Sequence, residues 1–226
     1  MTLDDIYNQL GHGELRELFV GGKSIDEPSW GITSENYPIL FPSVQLGLTE
    51  LHKRFLLRAE EVIVPLVTNQ TSYVITVPSL FKIERVYGTY REKEYEIPMN
   101  EPTTLEAIRN TSYNSLLVPT NETEAPWLKE TTSLRVVYRG DHPVIDTAVA
   151  AVTPANVDIE LPLVYMEPLL LYIASRIHNP IGLTNEFHNG NNYAAKFEAS
   201  IAQLKSQNYE IDSSDMGDLL YDRGFV

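Results

Sequence analysis

The chain has 226 residues, 43% of them hydrophobic and 21% charged, which is enough apolar material for one substantial core or two smaller units and excludes wholesale disorder. Seventeen Lys and Arg against thirty-one Asp and Glu leave a net charge of −14. That balance excludes the basic footprint of a free duplex-binding protein and opposes docking on an anionic membrane. Cysteine is absent, which removes thiol nucleophiles, disulfides, zinc knuckles and iron–sulfur clusters.

The opening "MTLDDIYNQL" is acidic, without a basic region leading into an apolar one, and does not read as a secretory signal. Thr2 is placed to cap a first helix, with Asp4 and Asp5 in the first turn where carboxylates suit the helix dipole. Leu3, Ile6 and Leu10 recur at helical spacing, Gly11 and Gly13 interrupt or end the helix, and Leu15 to Phe19 are a possible continuation. Residues 20–42, with Pro28, Pro38 and Pro42, read as a long ordered loop. Within it "VGGKS" resembles part of a phosphate loop. The glycine such a loop needs five positions earlier is Glu17, and a Pro-rich segment follows where a helix should, so a turn is the simpler reading.

"PSVQLGLTELHKRFLLRAEE" predicts a helix capped at Ser43, whose apolar face is Val44, Leu48, Leu51 and Phe55. From Glu61 the period changes to that of strands. "EVIVPLV" and "SYVITV" around "TNQT" predict one hairpin, and "LFKIERVYGTY" with "EYEIPM" around "REK" a second. "TTLEAIRN" reads as a helical turn, and "SYNSLLVP" and "SLRVVYRG" as two more strands flanking the polar "TNETEAPW". The expectation is a β unit of five or six strands. Trp30, two residues after Pro28, and Trp127, directly after Pro126, read either as interface anchors or as loop packing.

"ELPLVYMEPLLLYIASRIHNPIG" is the most apolar stretch, yet Pro162, Pro168, Glu167 and Arg176 leave its apolar run short of the ~20 residues a membrane span needs. It predicts a buried helix from about Glu167 to His178, preceded over 163–166 by either a separate turn or a kinked start; Leu170, Ile173 and Ile177 are its core positions. "NEFHNGNN" reads as a tight connection. In "YAAKFEASIAQLKSQ", Tyr193, Phe197, Ile201 and Leu204 make the clearest helical face of the chain. The acidic tail carries Leu219, Leu220, Tyr221 and Phe225, four large apolar residues that point to docking rather than solvation.

No catalytic constellation stands out. The histidines at 12, 52, 142, 178 and 188 have no metal-ligand spacing, no G-x-S-x-G elbow occurs, and the carboxylates single out no acid–base pair. "RGD" at 139–141 reads as a strand end and turn, and Asn69, Asn110 and Asn121 in their N-x-S/T contexts read as turn residues. The chain is therefore read as a non-enzyme without cofactor or metal, of class α+β: a helical bundle from both ends (1–60 and 151–208), an inserted antiparallel β domain (61–150), and an extended C-terminal tail (209–226).

The order of segments is similar to the head-to-tail adaptor (head completion, or connector) proteins of tailed bacteriophages, the short-tailed type above all. The likeness rests on Glu160-Leu161-Pro162, the "LLLYIASR" core from Leu169 to Arg176, and the "YxxKFE" pattern of Tyr193, Lys196, Phe197 and Glu198. It is strongest over 134–208 and weaker over 39–60, and it covers the β unit only in placement. The resemblance implies a structural virion protein of the neck, assembled in the host cytoplasm. Twelve copies would form a ring between portal and tail nozzle or tube. DNA would pass through a channel whose carboxylates repel phosphate, with no sequence-specific binding and no membrane. It also implies that Leu219, Leu220, Tyr221, Arg223 and Phe225 dock on the portal. Lys53, Arg54 and Arg58 are candidates for the subunit interface, with a solvated helix face as the bland alternative. The competing readings are a non-viral α+β binding or assembly module, and an enzyme whose site is assembled only in three dimensions.

Overall fold

The structure, a computed structural model, describes residues 1–15, 32, 34–178 and 184–207, without the side chains of 151 and 184–190. The expectations for 16–31, including "VGGKS" and Trp30, for the His188 side chain, and for the tail residues Leu219, Leu220, Tyr221, Arg223 and Phe225 lie outside the described residues. The architecture is α+β, with helices toward both ends and antiparallel strands between them. Two compact units divide the described residues: 1–55 with 142–207, and 56–141.

The helical unit begins with α1, Leu3–His12. Its start is fixed by a reciprocal capping box: the Asp5 amide donates to Thr2 Oγ1 at 3.2 Å and the Thr2 amide donates to Asp5 Oδ2 at 2.8 Å. Leu3, Ile6, Tyr7 and Leu10 are buried. Ahead of the cap, the Ile159 amide donates to the Met1 carbonyl at 2.7 Å, tying the N-terminus to the segment before the central helix.

α2 spans Tyr37–Arg54, starting seven residues earlier than a Ser43 cap implies, and stops short of "LLRAEE". Pro38 falls in its first turn, where a missing N–H costs nothing, so it starts the helix instead of marking a loop. Pro42 lies inside the helix. Burial of Leu40, Phe41, Val44, Leu48 and Leu51 outweighs its poor propensity. At Gly47 α2 approaches the helix that carries Leu169 so closely that a Cβ would stand 2.7 Å from Leu169 Cδ1.

α3 is a short helix, Thr147–Val152. Asp146 caps it, accepting from the Ala148 amide at 2.8 Å. A 3₁₀ turn over Leu163–Tyr165 then leads into α4, Met166–Ile177, as expected from the two prolines. α4 packs against α1, α2 and the last described helix. α5 runs Thr184–Ser206, so "NEFHNGNN" is helix and not a connection; propensity is a weak prior that context overrides. Phe197, Ile201 and Leu204 are buried and Tyr193 half-buried. No described helix is long and apolar enough to cross a membrane.

The strand unit has seven strands, where five or six were expected, in two antiparallel sheets. β1 (Ala59–Pro65), β3 (Leu80–Tyr90), β4 (Lys93–Ile97) and β7 (Ser133–Gly140) form one sheet in the order β1-β7-β3-β4. β2 (Ser72–Val74), β5 (Arg109–Ser112) and β6 (Ser115–Leu117) form the other, in the order β2-β6-β5. The β3–β4 hairpin around "REK" stands as expected, with Tyr90 opposite Lys93. The first expected hairpin does not form: β1 pairs with β7, Val62 opposite Val136, and β2 pairs with β6. Val62 and Val64 pack against the buried cluster that holds Leu134 and Val136, and that burial decides the partner. "TTLEAIRN" forms turns and the start of β5 instead of a helical turn, and "SYNSLLVP" carries the β5–β6 turn instead of one strand.

Candidate functional site

The residues expected to matter fall into separate environments. On α4, Ile173 is fully buried, Leu170 is buried and Ile177 half-buried, so this group belongs to the helical core. Lys53 is exposed on α2. Arg54, next to it, is held within the chain: its guanidinium donates to both Glu198 oxygens, at 2.7 and 2.9 Å, and through Nε to Glu50 at 2.8 Å. It also lies 5.1 Å over the Phe197 ring. These bonds lock α2 to α5. The Glu198 bonds, countered by desolvation and reinforced by Glu50, raise Arg54 above the usual guanidinium value, and the same contact lowers the Glu198 carboxyl. Arg58 lies in the strand unit and pairs with Glu60. The structure thus splits the basic cluster between two units.

Glu60 is the hub of its region. The Tyr138 hydroxyl donates to it at 2.6 Å and the Ser79 hydroxyl at 3.1 Å. Tyr138 first, then Ser79 and Arg58, hold its carboxyl below the usual range against the opposing effect of burial. A depressed carboxylate contributes stability that is complete above the unfolded-state value and lost as pH falls through the lowered folded value. Glu60→Gln is therefore expected to flatten the acid limb of the strand unit's stability, read as the urea midpoint against pH. An acid limb identical to wild type would remove Glu60 from this account.

The exposed face of the four-stranded sheet is a self-paired charge ladder. Arg135 bonds Glu94 and Glu61 and covers Tyr87 at 4.2 Å, while Arg85 approaches Glu96. The "RGD" tripeptide is the end of β7. Arg139 is buried with Glu84, Nε to Oε1 at 2.9 Å, and the Asp141 amide donates to the Ser79 carbonyl. Asn69, at φ 65°, and Asn121, which accepts from the Thr123 amide, are turn residues, whereas Asn110 lies in β5. Trp127 is packing rather than an exposed anchor.

Two clefts of the helical unit gather polar groups that sequence spacing did not connect. One, about 220 Å³, is lined by Leu48, His52, His142, Val149, Asp158 and Glu160, with the imidazole rings 5.7 Å apart. The other, about 550 Å³, is lined by Glu14, Glu167, Tyr193, Lys196, Ser200 and Gln203. At its wall the Tyr193 hydroxyl donates to the Glu14 carbonyl at 3.2 Å, and the buried His178 ring stacks on Tyr193 at 5.0 Å. His178 is the C-cap of α4 and is buried. Among the described residues no group of three or more His, Asp or Glu side chains is arranged to hold a metal ion.

No protein-family model matches the chain, and no curated protein matches it.

Proposed function

We propose that the chain is a structural virion protein of a tailed bacteriophage, one copy of an adaptor ring between portal and tail that extends the DNA channel and supports tail attachment. The observation that carries this reading is what the resembling segments build. "ELP" enters α4 through a 3₁₀ turn, "LLLYIASR" is the buried body of α4, and "YxxKFE" sets Phe197 edge-on against Tyr172 at 5.3 Å and Glu198 into the Arg54 fork. The likeness therefore lies in the framework of the helical unit and not in surface loops. The net charge of −14 supports the same reading, because a carboxylate-rich channel lets DNA slide instead of binding it.

The test is negative-stain microscopy of the purified chain, alone and mixed with the portal encoded beside it. Rings stacked on the portal are expected for the full chain. A chain lacking 212–226 is expected to stay folded and lose portal binding. A well-folded full chain that forms no ring and ignores the portal overturns the proposal.

A further inference from the structure

Along α4 only Glu167 and Arg176 are exposed; all other positions are buried or half-buried. Nine positions separate them. At 3.6 residues per turn that is about two and a half turns, so they leave opposite sides of the helix, roughly 13 Å apart along its axis. Each has the sign that its end of the helix dipole favours. The dipole does not explain the surroundings of Glu167.

Glu167 opens onto the 550 Å³ cleft beside Glu14. Glu14 Oε2 is buried and has no hydrogen-bond partner. Neither carboxylate has an ion-pair partner among the described residues. Lys196 lines the same cleft, but its ammonium lies over the Tyr193 ring, 5.3 Å from the centroid. A buried carboxylate oxygen without a donor is costly, and a guanidinium supplies several donors in one planar group. Arg176 likewise has no carboxylate partner among the described residues. The cleft of its own chain is on the far side of α4, whereas that of a second copy is open to it.

We infer that the Glu14–Glu167 cleft receives Arg176 of a neighbouring copy of this chain. Donor and acceptor patches differ, so the contact is heterologous and repeats head to tail, closing a ring when the rotation permits. It also sets opposite charges together at each interface between copies that each carry −14. The inference rests on the ring reading and names the contact between its subunits.

The chain has no cysteine, so introduced thiols stand alone. Glu167→Cys/Arg176→Cys, assembled on the portal and treated with a short bis-maleimide, is expected to give a ladder of dimers, trimers and higher products. Each single-cysteine variant is expected to give none. Arg176→Glu is expected to raise the concentration needed for assembly by about tenfold or more. All three substitutions are at exposed positions, and circular dichroism checks that the fold is kept. Cross-linking by a single-cysteine variant, or wild-type assembly of Arg176→Glu, overturns this contact and leaves the ring reading standing. A folded wild-type chain that assembles neither alone nor with the portal overturns the ring reading and the contact together.

Discussion

Ile173→Asp is expected to abolish soluble expression. Ile173 has no exposed surface, on a helix packed against α1, α2 and α5. The substitution forfeits the burial of a large aliphatic side chain, about 1.5–3 kcal/mol. It also places a carboxylate in a fully buried position of the helical core, at a further cost of several kcal/mol. Together these consume most of the ~5–15 kcal/mol that a domain has. Unfolding then exposes the whole apolar run of α4, and aggregation makes the loss irreversible. Ile173→Val, which removes one methylene, is expected to cost about 0.5–1.5 kcal/mol and stay soluble. Leu170→Asp should behave like Ile173→Asp. The soluble fraction of the three variants is the measurement, and a soluble, ring-competent Ile173→Asp protein overturns the placement of this helix.

Where one physical signal dominated, the fold was legible. Thr2 and Asp5 encode α1 because a capping box is local, complete within four residues. Two prolines and a dense apolar run encode the turn and α4, and "REK" between strand formers encodes the β3–β4 hairpin. Legibility failed where distant burial decided. β1 and β2 are neighbours in sequence, yet β1 takes β7 as its partner because Val62 and Val64 complete a core shared with Val136 and Leu134. No local pattern announces that choice. The start of α2 failed for a different reason: Pro38 and Pro42 were read as breakers, although a first-turn proline initiates a helix.

The candidate site was less legible than the fold, because electrostatic partners are set by packing. Arg54 was visible as one member of a basic cluster. Its partner Glu198 lies 144 positions away, and only the packing of α5 beside α2 brings them together. Glu14 carried no signal among thirty-one acidic residues, because its place beside Tyr193 depends on the turn after α1 meeting α5. Glu167 and Arg176 were visible as the two charges of an apolar run. Their opposed sides follow from spacing alone, but only the burial of every other α4 position reveals them as its exposed pair.

Trp127→Ala is expected to be the most damaging truncation in the strand unit. Trp127 is 1% exposed, the largest fully buried side chain described, in a 3₁₀ turn over Pro126–Lys129. It belongs to the cluster of Ile83, Val86, Ile108, Leu116 and Val136, and its indole Nε1–H donates to the Glu106 carbonyl at 3.1 Å. Removing the ring leaves a cavity whose walls, strands from two sheets, cannot close without breaking their registers. Trp→Ala in a core costs about 3–5 kcal/mol, and the orphaned carbonyl adds to it. Trp127→Phe keeps most of the apolar contact and loses the hydrogen bond, so a smaller loss of about 1–3 kcal/mol is expected. Hydrogen exchange resolves where the damage falls. Protection is expected to drop across β1, β3 and β7, which share this cluster, and to persist in α4 and α5, whose core is their own. Equal loss of protection in α4 would show that the two cores unfold as one and would overturn the assignment of Trp127 to the strand unit alone.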